Sequence, residues 1–106
     1  MATESPTPVL DTLAAMTLDS IERCDLPADI LILTRIAALV AVDAPAMSYV
    51  AHAGPAAQVE VTPAQVQDVL VAIAPIVGTA RVMSAATHIA EALGIIIAAA
   101  EEEVSG

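Results

Sequence analysis

Apolar residues recur along most of this chain at the three- and four-residue spacing of a helix face. No stretch alternates with the two-residue period of a half-buried strand. Val9, Leu13, Met16 and Ile21 lie roughly on one side of a first helix, opened by Pro8 and running to about Glu22. "CDLPAD" resets the chain, with Asp25 as a candidate cap and Pro27 suited to a first turn. The second helix, about Pro27 to Val42, is apolar nearly all round, which predicts a central position. "VDAPAM" breaks it, because residues before Pro45 are pushed out of helical geometry. A third helix is predicted over Ala46 to Ala53, stopped by Gly54-Pro55.

A loop, "AAQVEV", then leads to Thr62-Pro63-Ala64-Gln65, a capping box in which Thr62 caps and Gln65 reaches back. The fourth helix, Pro63 to about Ile76, carries Val66, Val69, Leu70, Ile73 and Val77 on its buried stripe. Pro75 and Gly78 close it. Thr79 is the candidate cap of a last long helix through Glu103, weakened at Gly94. Its acidic end, Glu101-Glu102-Glu103, meets the negative pole of the helix, so fraying is expected there. The pattern predicts an all-α, compact bundle of about five helices: a flexible lead-in over residues 1–8 and one domain over 9–106.

Composition adds a second expectation. Hydrophobic residues make up 58% of 106 positions, above the usual level of about 45–50%, and mean hydropathy is +0.79. One small globule has too little interior for that much apolar side chain. The excess predicts a homo-oligomer whose copies cover one another. The longest apolar run, Ile30 to Val42, is broken by Thr34 and Arg35 and is shorter than the roughly 20 residues of a membrane span. No basic segment followed by an apolar one opens the chain, so a soluble, cytoplasmic protein is expected.

Charge narrows the chemistry. The net charge of −10 rests on three arginines, Arg23, Arg35 and Arg81, with no lysine. Nucleic acid and anionic membranes are poor partners for such a chain. Schiff-base and pyridoxal-phosphate chemistry lack their lysine. Cys24 stands alone, so no disulfide or C-x-x-C pair is available. Two polar groupings remain. Ser48 and His52 lie one helical turn apart, with Tyr49 between them, and Arg81, Ser84 and His88 share a face of the last helix. His52 with His88 makes too thin a ligand set for a metal site.

"LPADILILTRIAALVAV", "APAMSYVAHAGPA" and "TPAQVQDVLVAIAPIVGTARVMSAATHI" together resemble the carboxymuconolactone decarboxylase family, which includes the alkylhydroperoxidase D-like proteins, over about Leu26 to Ile97. Its members enter a helix through a Leu-x-Pro-type turn and carry a short helix ending in a histidine. A "T-x-E-E-I/V" helix start and a "G-x-x-x-x-x-N"-like opening follow. Here the last two fall on Thr62 to Val66 and Gly78 to Ser84. The peroxidase branch uses C-x-x-C-x-x-x-H. Pro45 and Ser48 stand at the cysteine positions, and Leu33 stands near that branch's upstream glutamate. A hydroxyl forms neither thiolate nor disulfide, so thiol peroxidase activity is not expected.

The resemblance to the decarboxylase branch implies cofactor-free lyase or proton-transfer chemistry on a small carboxylic acid. His52 would be the candidate acid, with Ser48 a weaker catalytic candidate. Arg35, Arg81, Tyr49, Ser84 and His88 would bind substrate, in a trimer or hexamer. Both arginines lie within apolar helices, so each is expected to have a partner or a ligand. The competing reading is a non-catalytic helical scaffold that keeps the fold. The two are separated by whether His52 and an arginine share an open cavity or close into salt bridges.

Overall fold

A computed structural model describes residues 4–105 and is all-helical among them. Five helices follow one another: α1 (Pro8–Arg23), α2 (Ala28–Ala41), α3 (Ala46–Gln58), α4 (Pro63–Val77) and α5 (Thr79–Ser105). Of the predicted lead-in, residues 1–3 lie outside the described residues. Residues 4–7 precede α1 without helical structure.

α2 packs on α3, α4 and α5, as its all-round apolar pattern predicts. It supplies Leu31, Ile32, Ile36 and Val40 to the core. Val40, with no exposed surface, clusters with Tyr49 of α3 and with Ala85 and Ala92 of α5. Leu31, Ile32 and Ile36 form a second cluster, flanked by Val66 and Val69. The predicted stripe of α4 (Val66, Val69, Leu70, Ile73 and Val77) is half-buried throughout and faces both clusters. Alanines at 85 and 92 let α5 approach closely, since each occupies little more than its backbone.

The helix ends show how the chain turns. Thr62 and Gln65 form the expected box: Gln65 N–H donates to Thr62 Oγ1 at 3.1 Å, and Thr62 N–H donates to Gln65 Oε1 at 2.9 Å. α2 ends in a left-handed residue, Asp43 (φ 54°). The Asp43 amide donates to the Val40 carbonyl, and the Ala44 amide donates to the Leu39 carbonyl. That pair of bonds is a Schellman end, built on an acid instead of glycine. α3 ends the same way: Glu60 has φ 60°, its amide donates to the Ala57 carbonyl, and the Val61 amide donates to the Ala56 carbonyl.

This second Schellman end corrects the prediction that α3 stops at Ala53. The helix runs through Gly54-Pro55 to Gln58. A terminating glycine must turn left-handed, and Gly54 is absent from the positive-φ residues, so Pro55 costs the helix one backbone bond without ending it. Two caps are corrected as well. Pro27, not Asp25, is the N-cap residue of α2, with no side-chain cap bond, and Thr79 lies inside α5. α5 also continues past Glu101–Glu103 to Ser105, so the expected fraying does not shorten it.

α1 differs from the rest. Every one of its residues is exposed. Its link to the bundle is thin: the half-buried Arg35 side chain donates from Nη2 to the Thr17 carbonyl at 3.4 Å. The whole chain has a Cα radius of gyration of 15.6 Å, against about 13 Å for a compact domain of this length.

α5 also corrects the expectation about membrane-length segments. Within Thr79–Glu103 it is long and apolar enough to cross a membrane: an 18-residue window reaches mean hydropathy 1.7, and 11% of that window is buried in the bundle. The stretch contains Arg81, His88 and Glu91.

Candidate functional site

α3 turns one face toward α5, and a groove of about 470 Å³ lies between these helices, α2 and α4. Successive helical residues are rotated by about 100°, which places Tyr49, His52, Ala53 and Ala56 on a shared face, and all four line the groove. From α5 the wall is Ile89, Leu93 and Ile96, with Leu70 and Val66 contributed by α4. Thr62 and Gln67 bring further polar atoms to this largely apolar cavity.

Two polar groups beside the groove have defined states. His52 Nδ1 lies 2.8 Å from the Ser48 carbonyl oxygen, one turn back on α3. A carbonyl only accepts, so Nδ1 carries the proton in this bond. In the neutral ring, Nε2 is then the basic nitrogen. The Tyr49 hydroxyl is buried and has no hydrogen-bond partner. Burial holds its pKa above the ordinary 10.0, and the Asp43 carboxylate adds to that shift. An unpartnered buried hydroxyl costs stability that an apolar ring would not, and costs of that kind collect at binding sites.

The other predicted residues stand elsewhere. Ser48 contributes its carbonyl to His52, and its side chain does not line the groove. Arg35 and Arg81 do not line it either. Among the described residues neither arginine is in an ion pair, and the salt bridge present joins Arg23 to Asp19 at 2.8 Å on the exposed side of α1. The expectation that each arginine has a partner or a ligand is met within the chain by Arg35. Arg35 has its single contact with Thr17, and Arg81 is exposed, where water solvates the guanidinium.

Ser84 Oγ donates to Asp43 Oδ1 at 2.6 Å, tying the α2–α3 turn to α5. His88 is half-buried, with Nδ1 unpartnered. Arg81, Ser84 and His88 do share a face, but the groove-lining face of α5 lies roughly a quarter to a third of a turn away. The structure thus gathers His52 and Tyr49 and leaves the arginines outside.

The hydrophobic wall at Ile89, Leu93 and Ile96 has no place among the predicted site residues. Its i, i+4, i+7 spacing was the available signal, but that spacing also describes ordinary core. Among the described residues no group of three His, Cys, Asp or Glu side chains is placed to hold a metal ion. No protein-family model, curated protein or solved structure matches this chain.

Proposed function

We propose that the groove beside Tyr49 and His52 binds a small, largely apolar molecule bearing a carbonyl or carboxylate oxygen, and that His52 moves a proton to or from it without a cofactor. The observation that carries this reading is His52 on the wall of a cavity of ligand size, its Nδ1 held by the Ser48 carbonyl and its neighbour on the same face the ring of Tyr49. His52 Nε2 accepts a proton from the carbon next to the carbonyl. The C–H electron pair moves onto the carbonyl oxygen, and the enolate so formed lies beside the imidazolium. The imidazolium, held by Ser48, then returns its proton to carbon.

This agrees with the likeness to the carboxymuconolactone decarboxylase family and its alkylhydroperoxidase D-like fold, on which the reading partly leans. It revises the role of the arginines, because no guanidinium of the same chain lines the groove to clamp a carboxylate. A soluble, cytoplasmic setting belongs to the same proposal. Arg81, His88 and Glu91 would be costly in lipid, and Ala85 and Ala92 of the same helix pack into the bundle core.

The test uses a β,γ-unsaturated cyclic lactone and its ring carboxylate as probes. Amide chemical shifts should move in α3 and α5, around Ala53, Ile89 and Leu93, at millimolar probe. In D2O the probe's α-proton should exchange with deuterium, and His52→Gln should slow that exchange by about 10²–10⁴-fold, the range typical of general acid–base catalysis. No shift change with either probe would end the proposal. Binding without catalysed exchange would leave a binding groove and remove the proton transfer. A non-catalytic scaffold is the second reading, favoured by the apolar surface that α1 leaves in water.

A further inference from the structure

We propose that the apolar face of α1 is an interface with a second copy of this chain. The inference does not depend on the chemistry of the groove. Val9, Leu13 and Met16 recur at i, i+4 and i+7, with Leu10 and Ile21 beside them, so one side of α1 is largely apolar, with Thr17 and Ser20 among them. All five side chains are exposed, from 45% at Ile21 to 70% at Val9. Asp11, Asp19 and Glu22 take the opposite side, near Leu18, and Arg23 stands at the edge beside Met16. Such a helix owes its stability chiefly to whatever packs on its apolar face, and among the described residues none of that face is buried.

The surface area sets the size of the missing cover. The chain exposes 7532 Å², whereas a monomeric globule of 10.7 kDa exposes about 5,500 Å². The difference, about 2,000 Å², is more than twice the roughly 800 Å² that each partner buries in a standard protein–protein interface. A second copy therefore has enough area to bind stably, over α1 and over neighbouring exposed residues such as Leu26 and Ile30.

Charge selects the occupant. Helices that lie on membranes carry Lys and Arg on the polar face. The polar side of α1 has three acids, with one arginine at its edge, on a chain of net charge −10. A lipid surface with anionic headgroups would repel it. An identical apolar face brings no unpaired charge to the contact, and a two-fold axis places the acidic sides outward, into water.

The test is mass by light scattering after size exclusion at tens of micromolar, for the wild type, for Leu13→Glu/Met16→Glu and for Glu22→Lys. The wild type and Glu22→Lys should elute at a multiple of 10.7 kDa, and the α1 double variant should elute as a monomer. Hydrogen exchange supplies a second measurement: amides of residues 9–21 should exchange at least tenfold more slowly when wild-type protein is concentrated from 1 to 100 µM. A wild-type monomer with concentration-independent exchange would overturn the proposal. So would an assembly that survives the double variant, or co-sedimentation of the wild type with phosphatidylcholine vesicles as a monomer.

Discussion

α1 and α2 are neighbours in sequence, similar in length, and rich in leucine and isoleucine, yet they meet opposite fates. α2 buries four side chains, and α1 buries none. The difference lies in where the apolar residues stand. α2 has them nearly all round, so any rotation presents apolar surface to α3, α4 or α5. α1 has a single stripe opposite three acids, and Cys24 after it is extended. Hydrophobic periodicity tells which face of a helix wants cover, and nothing about who supplies it.

The sharpest way to break this contrast is a matched pair of truncations. Val40→Ala removes fully buried methyl groups and should cost about 2–3 kcal/mol in urea denaturation. Leu13→Ala, half-exposed on α1, should cost under about 0.5 kcal/mol in protein diluted until light scattering gives the monomer mass. Equal costs under those conditions would mean that α1 is packed within its own chain.

Glycines give the next effect. Gly78 joins α4 to α5 with φ 88°, so Gly78→Ala should destabilise by about 1–2 kcal/mol. Gly94→Ala, inside α5 with nothing near its Cβ position, should stabilise by about 0.5–1 kcal/mol. Opposite signs in the thermal melts are the expected result.

Helix caps sharpen the comparison further. Thr62 accepts a backbone bond at the start of α4, and Thr62→Ala should cost about 1 kcal/mol. Thr7 begins α1 without such a bond, its hydroxyl donating to Asp11 instead, so Thr7→Ala should cost a few tenths of a kcal/mol at most.

The smallest expected effect belongs to Tyr49. Tyr49→Phe removes an unpartnered hydroxyl and should leave stability unchanged or slightly raised near pH 7. The folded-state pKa of Tyr49 is raised, so the neutral form is the one the fold prefers. Its contribution is fully present below pH 10.0 and is lost as pH rises through the higher folded value. Wild-type stability should therefore fall more steeply than that of Tyr49→Phe above pH 10, measured by urea titration at successive pH values.

Much of the architecture was readable from residues alone. Five helices, the Thr62–Gln65 box, the half-buried stripe of α4 and the central place of α2 all follow from local spacing and capping chemistry, which act within a few residues. The end of α3 was not readable. Gly54-Pro55 has the usual composition of a helix stop, and the actual stop lies at Glu60, a residue with no intrinsic preference for the left-handed region. The site divides the same way. Tyr49 and His52 share a face by their spacing of three. That Arg35 and Arg81 stay outside their groove depends on how α2 and α5 are rotated in the packed bundle.

The amino-acid order by itself determined the helices, their start signals and the surplus of apolar side chains, because each of these is set by neighbours along the chain. Only the tertiary structure decided which stripe is covered, that α1 is left bare, and that a tyrosine hydroxyl is buried without a partner beside His52. Those outcomes depend on helix rotation and on contacts between residues distant in sequence, and a pattern with a period of a few residues carries no information about either.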